Sequence, residues 1–154
     1  MTYALGKKSL FNLEGVHDDL VRVVKLAITL TGQDFGVYEG LRSQARQDEY
    51  FKRGVTRVRS SKHQRQQDGF GHAVDLVPWI DGAMRWEWPP IYTIAAAMRD
   101  AAHQLEVQIR WGGVWDQRLN ALEPGAENMR IAVAAYCVRH PGPDFIDGPH
   151  YELV

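Results

Sequence analysis

The stretch Gly69-Phe70-Gly71-His72-Ala73-Val74-Asp75-Leu76-Val77 does most to limit what this chain can become. Two glycines lead into a run of β-formers, which reads as a strand entered through a turn. Side chains alternate across a strand, so Ala73, Asp75 and Val77 share one face and His72, Val74 and Leu76 the other. His72 therefore points away from Asp75, while His63, on a polar loop, is free to fold back over it. The same alternation in Asp147-Gly148-Pro149-His150-Tyr151-Glu152-Leu153 puts His150 and Glu152 on one face. Two imidazoles and a carboxylate are a recurrent ligand set for a catalytic zinc, which keeps one position for water. Asp147, three residues before His150, is placed to act as the base that activates that water. Glu152 reads either as a second base or as a group that orients His150.

Ser61-Lys62-His63, then Gly71-His72-Ala73-Val74-Asp75, then Asp147-Gly148-Pro149-His150 carry a resemblance. The set resembles the signature of the zinc peptidases related to D-Ala-D-Ala carboxypeptidases. That signature is S-x-H-x-x-G-x-A-x-D, followed much later by an acidic residue two or three positions before a final His. Within that superfamily the chain is most similar to phage endolysins that act as L-alanyl-D-glutamate endopeptidases. Glu39-Gly40-Leu41-Arg42-Ser43, Trp111-Gly112-Gly113 and Phe145-Ile146-Asp147-Gly148-Pro149-His150 extend the likeness, which runs from about Leu13 to Leu153.

The resemblance implies zinc held by His63, Asp75 and His150, with Asp147 as the catalytic base. It matches Arg42 to an arginine that contacts substrate or steadies negative charge on the scissile carbonyl, a task suited to a permanent charge with donors fixed in a fork. The implied partner is the peptidoglycan stem peptide, cut at its L-Ala-D-Glu bond to lyse a host. One departure stands out: the signature sets its first His seven residues before the Asp, where this chain has Asp68, and His63 lies twelve before Asp75. A loop absorbs a five-residue insertion at small entropic cost, so His63 is kept as ligand and Asp68 is its rival.

Two other readings use the same residues. A carboxypeptidase or dipeptidase acting on D-Ala-D-Ala ends usually carries Glu as base and Trp before the last His, where this chain has Asp147 and Pro149. A zinc-stabilised module would hold cell wall without cutting it.

Composition excludes more than it assigns. A net charge of −1 gives no global pull toward nucleic acid or membrane. The single cysteine, Cys137, rules out an internal disulfide and a zinc-cysteine cluster, and is expected to be a small buried hydrophobe. The opening MTYALGKKSLFNLEG lacks the apolar core of a signal peptide, and no apolar run approaches membrane-spanning length. The expectation is one domain over 1–154, a monomer without stable membrane association, held in the host cytoplasm until released to the cell wall. The lack of a separate wall-binding domain points to phages of Gram-negative hosts.

The remaining elements follow from periodicity and punctuation. His17–Thr31 reads as a packing helix stopped by Gly32, Asp34–Leu41 as a strand, and Ser43 as the cap of a helix to about Arg53. Asp81-Gly82 marks a hairpin or loop at the rim of the site, and Pro89-Pro90 starts a helix to about Gln104. His103 in that helix is a structural or surface histidine. Gln108–Trp111 is a strand ended by Gly112-Gly113, and at least one of Trp111 and Trp115 should wall a groove. Pro124–Val138 is a helix with Ile131, Val133, Ala134, Ala135 and Val138 on its apolar face, and His140-Pro141-Gly142-Pro143 breaks the chain after it. Lys52, Arg53, Arg57, Arg59, Lys62 and Arg65 form the one basic cluster. It reads as a solvated loop or as a surface for anionic stems with free carboxylates. Together the elements make an α+β fold, three or four helices packed on a small antiparallel sheet that carries the metal site.

Overall fold

In chain order the elements are α1 (Lys7–Asn12), α2 (Asp18–Leu30), β1 (Phe35–Glu39), α3 (Gln44–Lys52), β2 (Ala73–Ile80), β3 (Ala83–Met84), α4 (Trp88–Leu105), β4 (Ile109–Trp111), β5 (Val114–Arg118), a 3-10 turn (Leu119–Ala121), α5 (Ala126–Arg139) and β6 (His150–Leu153). They come from a computed structural model that describes residues 2–54, 61–142 and 145–154. Arg57, Arg59, Ser60 and Pro143 lie outside the described residues.

The architecture is α+β, as expected, with five α-helices among the described residues rather than three or four. The additional one is α1, too short to show a period. Its stability comes from β1: the Ser9 hydroxyl accepts from the Val37 N–H at 3.0 Å, and the Asn12 amide donates to the Val37 carbonyl at 2.8 Å. These bonds also cover β1, the edge strand, whose outer backbone groups would otherwise be open to pairing.

The strands form one antiparallel sheet in the order β1-β2-β6-β4-β5, with β3 folded onto β2 through Asp81-Gly82. Both turn residues have positive φ, 52° and 79°, the conformation of a tight two-residue hairpin. Val74 and Leu76 of β2, Ile109 and Trp111 of β4 and Tyr151 of β6 are all buried in the core. They pack with Leu20, Val23, Val24 and Ala27 of α2 and Ile91, Ile94, Met98 and Ala101 of α4. At about 25 cal/mol per Å² of apolar surface removed from water, this layer is the main source of stability.

α5 differs from its sequence reading in phase. Its buried residues are Met129, Val133 and Tyr136, at i, i+4 and i+7, whereas Ile131 is 49% and Val138 79% exposed. Ala134, Ala135 and Cys137 face outward as well. An alanine-rich helix offers nearly equal apolar content on several faces, so docking is decided by the largest side chains, Met129 and Tyr136. Cys137 is thus an exposed thiol, and the expectation of a buried one is corrected.

Candidate active site

Three segments distant in sequence meet on the face of the sheet opposite the core. Register places Asp75 of β2 directly across from Glu39 of β1 on one side and from His150 of β6 on the other. A bulge between Val37 and Glu39 makes the first pairing, turning Glu39 toward the site. His63 completes the group from the loop before β2. Its backbone is pinned on both sides, its carbonyl accepting from the Arg42 N–H at 2.7 Å while the neighbouring Lys62 carbonyl accepts from the His72 N–H at 2.7 Å.

His63 Nε2 lies 3.2 Å from Asp75 Oδ1, and His150 Nδ1 lies 3.5 Å from the same oxygen. One ligand atom from each of the three lies within 4.8 Å of the others, the dimension of a single ion's coordination sphere. Each imidazole has its other nitrogen occupied. His63 Nδ1–H donates to the Gly40 carbonyl at 2.9 Å, and His150 Nε2–H donates to Glu152 at 2.8 Å. Such outer bonds fix the tautomer and aim the remaining nitrogen at a metal. Glu152 therefore takes the orienting role of the two open to it.

Electrostatics follow from this packing. Burial opposes the charge on Asp75, but the charge of His63 and the hydrogen bond from His150 outweigh it and hold the carboxyl below its usual range. Burial also works against protonated His150, yet its bonds to Asp75 and Glu152 hold it up at about 10 before any metal binds. Asp147 behaves oppositely: burial, reinforced by the nearby charge of Asp75, pushes it up to about 6. A carboxylate near neutrality can both accept and return a proton.

Asp147 is placed by the turn between β4 and β5. Its N–H donates to the Gly112 carbonyl at 2.8 Å, the Trp111 indole donates to Gly148 and the Trp115 indole to Phe145, both at 2.7 Å. Gly112 has to be glycine: a Cβ there would strike the Asp147 carbonyl oxygen and lie 3.1 Å from its Cβ. Trp111 is thus a core clamp, and Trp115 is the one that walls a groove.

Arg42 sits beneath the group, 8% exposed. Its Nε donates to Glu39, one terminal nitrogen donates to Gln47 at 2.6 Å, and the other lies 3.9 Å from Asp75 Oδ2. Above it opens a cleft of about 1020 Å³, walled by Trp115, Phe145 and Ile146 and by Tyr38 and Trp86. The last two rings meet edge to face at 5.1 Å. The rim position expected for the Asp81-Gly82 hairpin is realised through Trp86.

Asp68, the rival ligand, is elsewhere. Its carboxylate accepts from His72 Nε2 at 2.7 Å and lies 3.8 Å from His17 Nε2, closing the inserted loop onto the start of α2. His72 points away from the site, as strand alternation predicts.

Residues 1–129 match the family model described as phage L-alanyl-D-glutamate peptidase. The chain belongs to that family. Among relatives of the phage L-alanyl-D-glutamate peptidases, the L-alanyl-D-glutamate peptidase of Escherichia phage T5 is 25% identical over 117 residues, 75% of this chain and 84% of that protein. The crystal structure of the Serratia marcescens L-Ala D-Glu endopeptidase ChiX superimposes with a TM-score of 0.69 at 34% identity, covering 96% of this chain and 87% of the other. The family match ends before Asp147 and His150, so the structure is what brings those two residues to His63 and Asp75. Glu39 stands in a stretch that carries the resemblance, but neither it nor Gln47 is given a role by the sequence, although both are buried and both are bonded to Arg42. A charged residue inside a β-rich run was the available signal for Glu39.

Proposed function

We infer that this chain is a peptidoglycan endopeptidase that hydrolyses the L-Ala-D-Glu bond of the stem peptide, with zinc as its metal and host lysis as its use. Family membership supplies the bond. The observation that carries the chemistry is a three-ligand group whose two imidazoles are each oriented by an outer partner, opening on a cleft beside Asp147.

Two imidazole nitrogens and a carboxylate oxygen within 4.8 Å of one another suit zinc. Zinc held by His63, Asp75 and His150 would polarise the scissile carbonyl and lower the pKa of a water at the open position. The chain's own residues do the rest. The Asp147 carboxylate takes the proton of the attacking water and delivers it to the D-glutamyl nitrogen as the carbon–nitrogen bond breaks. Arg42 holds a fixed positive charge at the floor of the cleft, toward the carbonyl oxygen on which negative charge develops. Trp115 and the Tyr38–Trp86 pair give sugar or peptide a surface to stack on.

The same reading has the chain acting as a monomer, to be checked by light scattering. It has the protein waiting in the host cytoplasm until the inner membrane is opened, to be checked by fractionating infected cells. The direct test is mass spectrometry of peptidoglycan incubated with the protein, with and without a chelator. Chelator-sensitive release of stem peptides that begin at D-Glu, restored by zinc, is the expected result. Loss of terminal D-Ala alone would overturn the bond assignment, and no cleavage by zinc-loaded protein would overturn the enzyme.

A further inference from the structure

α3 and its flanks turn a basic face toward the cleft: Arg42, Arg46, Tyr50 and Arg53, spaced by four, four and three residues, all line it. The first two cations are answered from within. Arg42 is held by Glu39 and Gln47, and Arg46 lies against Tyr50 and Glu39. Arg53 has an exposed partner, Glu49, at 3.8 Å.

Lys62 is in a different position. It lines the cleft immediately before the ligand His63, and its ammonium donates to the Leu153 carbonyl at 3.3 Å. Among the described residues no carboxylate lies within ion-pair distance of it. Glu152 is near enough to feel its charge, but that carboxylate is committed to His150. An ammonium has three donors, and one carbonyl occupies one of them.

The substrate brings a matching charge. A glutamyl residue whose nitrogen is acylated by L-alanine, and one of whose carboxyls continues the chain, has its other carboxyl free. That carboxylate is a few bonds from the scissile nitrogen, so it comes to rest close to the metal ligands and to the residue beside His63. We propose that Lys62, assisted by Arg53, binds this free carboxylate, so that the enzyme selects stems in which it is ionised over stems in which it is amidated. The inference rests on the endopeptidase reading and adds its specificity. A carboxamide has no charge to offer and keeps only one acceptor oxygen, its other position carrying N–H donors that neither cation can accept from, which costs affinity.

The test compares two synthetic stem peptides that differ only in this group, carboxylate or carboxamide, as substrates of the zinc-loaded full chain. The wild-type protein should favour the carboxylate by about tenfold in kcat/KM, the scale of one hydrogen bond to a charged group. Lys62→Gln should bring the ratio near one, and Lys62→Arg should restore it. Raising the salt should shrink the wild-type preference. If Lys62→Gln loses its zinc, Arg53→Gln is read in the same way and should also lower the ratio. A ratio near one in the wild type, a preference indifferent to salt, or a variant that slows both peptides equally would overturn the proposal. The last outcome is what a purely structural tie between Lys62 and Leu153 would give. If wild type cuts neither peptide, the endopeptidase reading falls and the specificity falls with it.

Discussion

Asp147 and Glu152 flank His150 three residues before it and two after, and the fold gives them opposite work. Asp147 is half-buried near the charge of Asp75, with no cationic side chain hydrogen-bonded to it among the described residues, while Glu152 accepts a hydrogen bond from His150 at 2.8 Å. Replacing Asp147 with Asn keeps the shape and removes the proposed base, so the content of the proposed zinc should stay near stoichiometric while kcat falls by about 10²–10⁴-fold. Metal analysis beside a turnover assay checks this, and unchanged turnover would remove Asp147 from the mechanism. The raised pKa sets a pH limb. A base is useful only when deprotonated, so activity should fall as pH drops through about 6, or somewhat lower once a cation faces the carboxylate. Glu152→Ala should leave Asp147 intact yet weaken zinc binding by about 10–100-fold, the usual effect of removing an orienting partner, measured by competition with a chromogenic chelator.

At the scale of elements, the β4–β5 turn acts as a clamp rather than a groove, and Gly112 is its centre. Gly112→Ala would force the Asp147 loop away, and a displacement of about 1 Å is enough to cost about a hundredfold in rate. The variant should keep His63 and Asp75 in place and lose kcat; wild-type kinetics would show that the loop tolerates the shift. α5 offers a stability contrast. Met129→Ala should cost about 2–5 kcal/mol and Val138→Ala within about 0.5 kcal/mol, measured by denaturant unfolding. Equal effects would return α5 to its sequence-read phase. These elements also show what the sequence can and cannot reveal. β2 and β6 were legible because alternation places one carboxylate and one imidazole on the same face and leaves apolar residues for the other. His63 was legible as a loop histidine free to reach Asp75, but a five-residue insertion hides its place in the signature and leaves Asp68 as a rival. α5 was misread because Ile131, Ala134, Ala135 and Val138 look like a face with Val133, until packing against α4 and β5 selects Met129, Val133 and Tyr136 instead. The bulge that turns Glu39 inward, and with it the Glu39–Arg42 pair, leaves no periodic trace.

For the whole molecule, the proposed zinc site and the fold are linked through the same residues. Zinc that binds only the folded chain should raise the melting temperature with concentration, by about 2.7 kcal/mol of added stability at a hundred times Kd. Loading must also displace the proton that His150 holds up to about 10, so binding should weaken as pH falls and should release protons to the buffer. Calorimetry in buffers of different ionisation enthalpy reads that release directly.

β6 lies between β2 and β4 in the sheet, although β2 precedes it in sequence by some seventy residues. Its seating therefore closes the longest loop in the sheet, the kind of contact that forms late because the chain entropy is lost before the strand bonds are gained. The strand that joins the two halves of the sheet is also the strand that delivers His150, with Asp147 just ahead of it. A molecule that has not finished folding consequently lacks one of the three proposed ligands and has the proposed base out of place, so on this reading the ability to cut is acquired in a single step with structural completeness. Half-made copies are silent. For an enzyme proposed to break down the wall around it, late docking of β6 would make the sheet itself a safety catch.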